Sequence, residues 1–197
     1  NDLALLERAQ IAGCSLYPLA VRPGTGLSTA PVEREQAFFD LADRVLIDRM
    51  GWRPLTPVQY AAPGRDRAAC VTAWSNGWDV LAAGPGAAGR IGRFEYRLAS
   101  GLDAWVQDQD APFDGGTTAM RVGPGFPGSA PWRLADGDGI AEADFLAAHP
   151  DLEALAARLV DNGLVARADG RLVLTRAGRF WAGNVYATIA GVLAADR

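Results

Sequence analysis

Lysine is absent from this chain. All 19 basic residues are arginine, which rules out a lysine Schiff base and the lysine-bearing phosphate loop. A GC-rich coding bias accounts for an arginine-only set without any mechanism. Cysteine is scarce too. Cys14 and Cys70 stand alone, too few for a disulfide framework, so a reducing, cytoplasmic setting is expected. Histidine occurs once, as His149, with no second histidine or suitable cysteine nearby, so the sequence offers no metal site. No run of about eighteen apolar residues occurs, so no membrane span is expected. No charged-then-apolar leader opens the chain, so no secretory signal is expected either. An excess of positive charge is also missing: the net charge of -4 gives nucleic acid no general attraction.

A length of 197 residues allows one good-sized core or two small domains. The chain starts at Asn1 and enters a helical pattern at once through Leu3, Leu5, Leu6, Ala9 and Ile11. Such a start is expected of a piece of a longer protein; tag removal or ordinary processing would also produce it. Residues 1–12 predict a helix stopped by Gly13. Residues 14–21 predict a short buried strand ended by Pro23-Gly24. The clearest helix is predicted over 33–50, where Phe38, Leu41, Ala42, Val45 and Leu46 recur at helical spacing. Asp40 can pair with Arg44 on its outer face, and Gly51 stops it. Pro54 and Pro57 make 54–60 an edge or irregular strand. Residues 78–83 predict a buried strand and 90–98 another. Ser100 and Asp103 resemble a capping box before a short helix through Gln107.

Residues 110–138 are dense in glycine and proline and carry Phe113, Met120, Phe126 and Trp132. A loop this long is functional or mobile, and it makes a natural boundary. The chain therefore divides into 1–110, a loop at 111–138, and 139–197. In the last part, helices at 140–148 and 151–162 precede a hairpin, 164–168 and 171–174, around Asp169-Gly170. Thr175 then caps a final helix with Trp181, Val185, Ile189 and Val192 on one face. Helix, helix, hairpin, helix is a winged-helix-like order. Seven acids face six arginines between 139 and 197, whereas a DNA-binding face should be visibly basic. A packing or partner role is expected there. There is no internal repeat and no coiled coil.

Gly84-Pro85-Gly86-Ala87-Ala88-Gly89 fits the dinucleotide fingerprint. That fingerprint needs a strand before it and a helix after it, so that pyrophosphate meets a helix amino terminus. The strand is predicted, but Ile91, Phe94 and Tyr96 predict further strand where the helix should be. Two other readings stay open. One is a tight glycine turn between strands. The other is a stretch of bare backbone that approaches a flat ligand closely. His149, just before Pro150, reads as a capping or surface residue, with axial heme ligation as the alternative. Tyr17 reads as a core tyrosine or as a ligand-facing one at a strand's carboxyl end. Arg22, Arg90 and Arg93 follow strand ends or the glycine run. They read as solvated side chains or as forks for a carboxylate ligand. The six tryptophans, Trp74 and Trp78 among them, offer flat apolar surface and are mostly expected in the core.

Two segments carry a family resemblance. The first runs Cys14-Ser15-Leu16-Tyr17-Pro18-Leu19-Ala20-Val21-Arg22-Pro23-Gly24-Thr25-Gly26-Leu27. The second runs Trp78-Asp79-Val80-Leu81-Ala82-Ala83-Gly84-Pro85-Gly86-Ala87-Ala88-Gly89-Arg90. Between them lie Phe39-x-Leu41-Ala42-Asp43-Arg44-Val45-Leu46 and Gly51-Trp52. In this order the chain resembles the carboxy-terminal half of oxygen-independent coproporphyrinogen III oxidase-like radical SAM enzymes. The tail agrees: Gly163-Leu164-Val165 and Arg171-Leu172-Val173-Leu174-Thr175-Arg176-Ala177-Gly178-Arg179 resemble the family's pattern there. Two positions depart from it. The family's His-Asn pair before a tryptophan is Ala69-Cys70 before Trp74. The histidine after the glycine loop is missing, with Ala88-Gly89 in its place. Leu16-Tyr17-Pro18-Leu19 and the Gly84 to Gly89 loop are more similar to the heme-utilisation branch, which resembles the oxidase but acts on heme itself.

The resemblance implies an α/β (α+β) fold. Residues 1–110 would hold the last helix and strand of a partial radical SAM (β/α) barrel with its sheet extension, and a small winged-helix-like helical domain would follow. It implies a parent oxidoreductase of heme or porphyrin metabolism that uses SAM and a 4Fe-4S cluster held by C-x3-C-x2-C thiolates. Two cysteines 56 positions apart (70 − 14) cannot supply that cluster. The resemblance therefore assigns the radical chemistry to a missing amino-terminal segment and leaves this chain inactive alone. Tyr17, Arg22, Gly84, Gly86, Gly89 and Arg90 would contact the tetrapyrrole, heme or porphyrin, with the arginines at its propionates. No catalytic and no metal-binding residue is expected, and neither nucleic acid nor membrane is an expected partner. Two alternatives stay open: a non-catalytic heme-binding or protein-interaction module, and a winged-helix regulator.

Overall fold

The computed structural model describes residues 2–19, 21, 24–65, 69–92, 94–98, 101–107, 118–121 and 130–194. Helix α1 (Asp2–Ala9) brings Leu3 and Leu6 onto a first core. It ends before Gly13 because Gln10 turns left-handed at φ 50°, and the Gln10 carbonyl accepts a hydrogen bond from Arg65 Nη1 at 2.5 Å. Strand β1 (Gly13–Ser15) is much shorter than the expected 14–21. Leu16 adds one more bond, from its N–H to the Val58 carbonyl at 2.8 Å. Pro18 has no N–H to continue the ladder, and Tyr17 and Leu19 point to solvent rather than into a core.

Helix α2 (Val32–Asp43) runs on as a π-helical segment, Arg44–Arg49, and stops at Gly51 with φ 69°. Glu33 and Glu35 sit in its first turn, where acids complement the helix dipole. The expected apolar stripe divides: Ala42 and Leu46 are buried, while Phe38 and Leu41 are exposed. Among the described residues, the acids of this stretch that form ion pairs are Asp43 and Asp48 rather than Asp40. Residues 54–60, expected as one strand, instead form a small hairpin of β2 (Arg53–Pro54) and β3 (Gln59–Ala61). The sheet order is β1-β3-β2, with Cys14 opposite Tyr60. Leu46, Trp52, Tyr60 and Ala62 form its core.

Helix α3 (Ala69–Ser75) leads to a second sheet of β4 (Ala88–Ile91), β5 (Phe94–Arg97) and β6 (Thr118–Arg121), in that order. Helix α4 (Leu102–Gln107) lies between β5 and β6; Ser100 is outside the described residues. The buried strand expected at 78–83 is reduced to one bridge, Val80 to Arg90, with Leu81 turned out to water. The strand expected at 90–98 becomes two, because Gly92 turns the chain with φ 55°. Within the expected 111–138 loop lie β6 and a 3-10 turn, Ala130–Ala135. Phe113 and Phe126 are outside the described residues.

The third sheet is built from β7 (Ile140–Ala141), β8 (Val165–Ala168) and β9 (Arg171–Leu174), in the order β7-β9-β8. Helices α5 (Glu142–Leu146) and α6 (Leu152–Asp161) precede the β8-β9 hairpin, and α7 (Arg176–Phe180) and α8 (Ala182–Ala194) follow it. Asp169 and Gly170 both have positive φ, 49° and 71°, as the tight primed turn requires. The last helix, expected as one, breaks at Trp181. Phe145, Leu152, Leu172, Val185 and Ile189 are fully or almost fully buried in this largest core. Every strand pair among the described residues is antiparallel, so the mix of helix and sheet takes the α+β form. No helix among them is long and apolar enough to cross a membrane.

Thr175 fixes the corner between β9 and α7. Its Oγ1 accepts the Gly178 N–H at 3.0 Å and donates to the Gly163 carbonyl at 2.6 Å. Thr175→Ala should therefore cost about 1 kcal/mol, read as a lower urea midpoint at unchanged slope. A midpoint equal to the parent's would show that the cap contributes nothing.

Candidate functional site

The glycine run forms a turn. Gly84 and Gly86 have φ of 103° and 69°, and the Ala87 N–H closes on the Gly84 carbonyl at 3.2 Å. Val80 and Arg90 exchange both backbone hydrogen bonds at 2.8 Å, and β4 begins at Ala88. A strand follows the glycines, so no helix amino terminus is present to meet a pyrophosphate. Gly89 is needed for close packing. A Cβ there would lie 2.5 Å from the Tyr96 ring and 2.6 Å from the Val80 carbonyl oxygen. The Tyr96 hydroxyl in turn accepts the Ala82 N–H at 3.0 Å.

Arg90 turns inward. Its side chain is 4% exposed and forms an ion pair with Glu95. Its guanidinium lies 5.1 Å over the Trp74 ring, and Nη1 donates to the Trp74 carbonyl at 3.4 Å. Gly84, Gly86, Gly89 and Arg90 thus share one turn, while Tyr17 follows β1 of a different sheet and is 70% exposed. Arg22 and Arg93 lie outside the described residues. Trp78, Leu81, Ile91 and Phe94 stand exposed, with Ile91 paired across from Phe94 at the end of the β4-β5 hairpin away from the glycine turn. Trp78 is therefore not a core residue.

A second constellation was missed by the sequence reading. Asp43, fully buried, accepts the Tyr60 hydroxyl at 2.8 Å, Arg176 Nε at 3.0 Å and Arg179 Nη1 at 3.2 Å. Its Oδ2 also pairs with Arg179 Nη2. Arg176 reaches on to Asp48 at 3.1 Å. Phe39 meets Phe180 at a 57° tilt with ring centroids 5.6 Å apart, and Arg179 lies over Phe39 at 5.5 Å. Burial, and then the bond to Asp43, push the Tyr60 phenol well up, so it stays a donor. The bond to Asp48 raises Arg176 further. This network joins the helix at 32–49 to α7. A doublet of arginines at 176 and 179, with an acid inside an apolar stripe, was its only trace in the sequence.

A curated relative, anaerobilin synthase of Escherichia coli O157:H7, is 29% identical to the chain over 200 aligned positions. The match takes in 94% of this chain. The chain resembles the coproporphyrinogen III oxidase-like radical SAM proteins. It spans 44% of the length of that relative. Among solved structures, coproporphyrinogen III oxidase from Escherichia coli, described as a radical SAM enzyme, superposes with a TM-score of 0.49 at 15% identity, over 81% of this chain and 40% of that one. No protein-family model matches.

The iron-sulfur cluster of a radical SAM protein does not fit the residues of this chain. Cys14 is half-buried in the first sheet and Cys70 is exposed on α3, and burial pushes the Cys14 thiol up, away from the thiolate a metal needs. Among the described residues no group of three or more histidine, cysteine or acidic side chains could hold a metal ion. His149 Nδ1 accepts the Asp151 N–H at 3.2 Å just ahead of α6, a local bond that caps neither α5 nor α6.

Proposed function

We propose that this chain is the carboxy-terminal portion of a radical SAM enzyme of heme or porphyrin metabolism. It shapes the face that receives the tetrapyrrole and closes the barrel, while a preceding segment holds the cluster and SAM. The observation that carries this is the likeness to anaerobilin synthase over 94% of the chain, with the Tyr17 and glycine-run segments inside it.

The glycine turn supports the assignment chemically. Gly84 has nothing within 4 Å of where a side chain would stand, so bare backbone is open there to a flat ligand. Trp78, Leu81, Ile91 and Phe94 add apolar surface that water disfavours until something covers it. Arg90, held by Glu95 and Trp74, positions the turn; Arg22 and Tyr17 remain for the propionate rim. The winged-helix-like end packs as a cap through Arg176 and Arg179 and does not read DNA. A cytoplasmic setting goes with this chemistry.

Heme titrated into the chain should bind saturably and quench tryptophan emission. The double substitution Trp78→Ala, Leu81→Ala should weaken binding by about tenfold, the loss of one apolar anchor. Binding no tighter than to an unrelated acidic protein would defeat the pocket assignment. Tight binding by the chain, with no heme turnover once a cluster-bearing segment is supplied, would favour a non-catalytic heme-binding module.

A further inference from the structure

We propose that a polar cavity between the first and third sheets binds a small oxyanion, a carboxylate or a phosphate group, through Arg53 and Arg133. The cavity holds about 290 Å³, at the small end of ligand-sized sites. Arg53 comes from β2, Arg133 from the 3-10 turn and Arg171 from β9; Thr72 and Asn76 add a hydroxyl and an amide. None of the glycine-turn residues lines it, so the proposal stands apart from the tetrapyrrole assignment.

The three arginines differ in what they hold. Arg171 is committed: its Nε and Nη2 donate to the Asp138 and Gly139 carbonyls at 2.7 and 2.8 Å. Arg133 Nε is buried and makes no hydrogen bond among the described residues. The Asp136 carboxylate stands 3.8 Å from it, beyond hydrogen-bond reach. Arg53 Nη1 is 3.9 Å from Asp138, also too far. The Arg133 side chain is 33% exposed and lines the cavity, so the open part of its guanidinium can meet an oxyanion there. Three arginines and two aspartates among the lining residues leave a surplus of one positive charge (3 − 2). A guanidinium fork matches the two oxygens of a carboxylate or phosphate.

The walls are already set. The Gly137 N–H donates to the Leu55 carbonyl at 2.9 Å, and no Cβ at Gly137 would clear the Pro54 carbonyl. Backbone thus abuts backbone at one side of the cavity, which fixes that wall.

Inorganic phosphate and glutarate, titrated separately into the full chain by calorimetry at constant ionic strength, test this. At least one should bind with a Kd of about 1 mM or tighter, and which one binds identifies the anion. Arg133→Gln should weaken it by about tenfold or more. Arg53→Gln, at the exposed rim, should weaken it several-fold and keeps the test valid if the first variant misfolds. Arg49→Gln, outside the cavity, should leave binding unchanged. No saturable binding of either anion, or equal binding by the parent and a folded cavity variant, would overturn the proposal.

Discussion

Asp43→Asn should destabilise the protein by about 3–5 kcal/mol, the usual result of removing one member of a buried ion pair. The carboxylate is fully buried, and the Arg179 side chain is only 9% exposed. Taking away the charge leaves Arg179 without its counter-ion in a place that water cannot repair. Arg176, 42% exposed, keeps Asp48 and suffers less. Asp48→Asn, at an exposed pair, should therefore stay within about 1 kcal/mol of the parent. Urea unfolding of both variants checks this. A double-mutant cycle of Asp43→Asn with Arg179→Met separates the pair's own coupling from the cost of the orphaned charge. If Asp43→Asn lost less than about 1 kcal/mol, this network could not be what holds α7 against the helix at 32–49.

Gly89→Ala is the second large effect, expected at about 2–3 kcal/mol. The added methyl would meet the Tyr96 ring on one side and the Val80 carbonyl on the other. The carbonyl is backbone, held by the Arg90 N–H at 2.8 Å, and cannot move without opening the bridge. The ring can move only by giving up its bond to the Ala82 N–H. Both routes unlock the turn that displays Trp78 and Leu81. Gly84→Ala, at φ 103°, makes the contrast. Nothing lies within 4 Å of its side-chain position, so it should cost about 1–2 kcal/mol, the backbone strain of its positive φ alone. Near-UV circular dichroism and urea midpoints together report the difference. Equal losses at the two glycines would mean that the Tyr96 contact is unimportant.

The two results bear on the proposed function in different ways. A protein weakened at Asp43 loses the attachment of its carboxy-terminal cap while the glycine turn stays intact. A protein weakened at Gly89 loses the turn itself. If tetrapyrrole binding resides at the turn, heme affinity should follow the second substitution and not the first.

Local rules sufficed where the physics was local. Asp169-Gly170 predicts a tight hairpin because few residues tolerate two positive φ values in succession, and the turn forms there. Thr175 predicts a helix cap because its hydroxyl reaches the N–H three residues on, and it does so. The succession of helices around the β8-β9 hairpin followed from apolar spacing, and the strand after the glycine run followed from Ile91, Phe94 and Tyr96. The family resemblance was likewise legible in the order of short motifs, and the match to anaerobilin synthase agrees with it.

Tertiary structure decided the rest. Tyr17 was expected inside a strand, but Pro18 cut the ladder and no described residue covers the Tyr17 side chain, which is 70% exposed. Phe38 and Leu41 share a helical stripe with Leu46, yet only the far end of that helix meets the first sheet. Arg90 was read as a solvated side chain or a ligand fork, and the fold holds it buried against Glu95 and Trp74 from the neighbouring strand and helix. The arginine partners of Asp43 lie 133 and 136 residues away in the chain. Arg53, Arg133 and Arg171 line a cavity shared by segments that no spacing connects. Turns, caps and short elements are settled by neighbours within a few residues, whose geometry the backbone fixes. The burial of a charge depends on which distant surfaces meet, and only the folded chain brings them together.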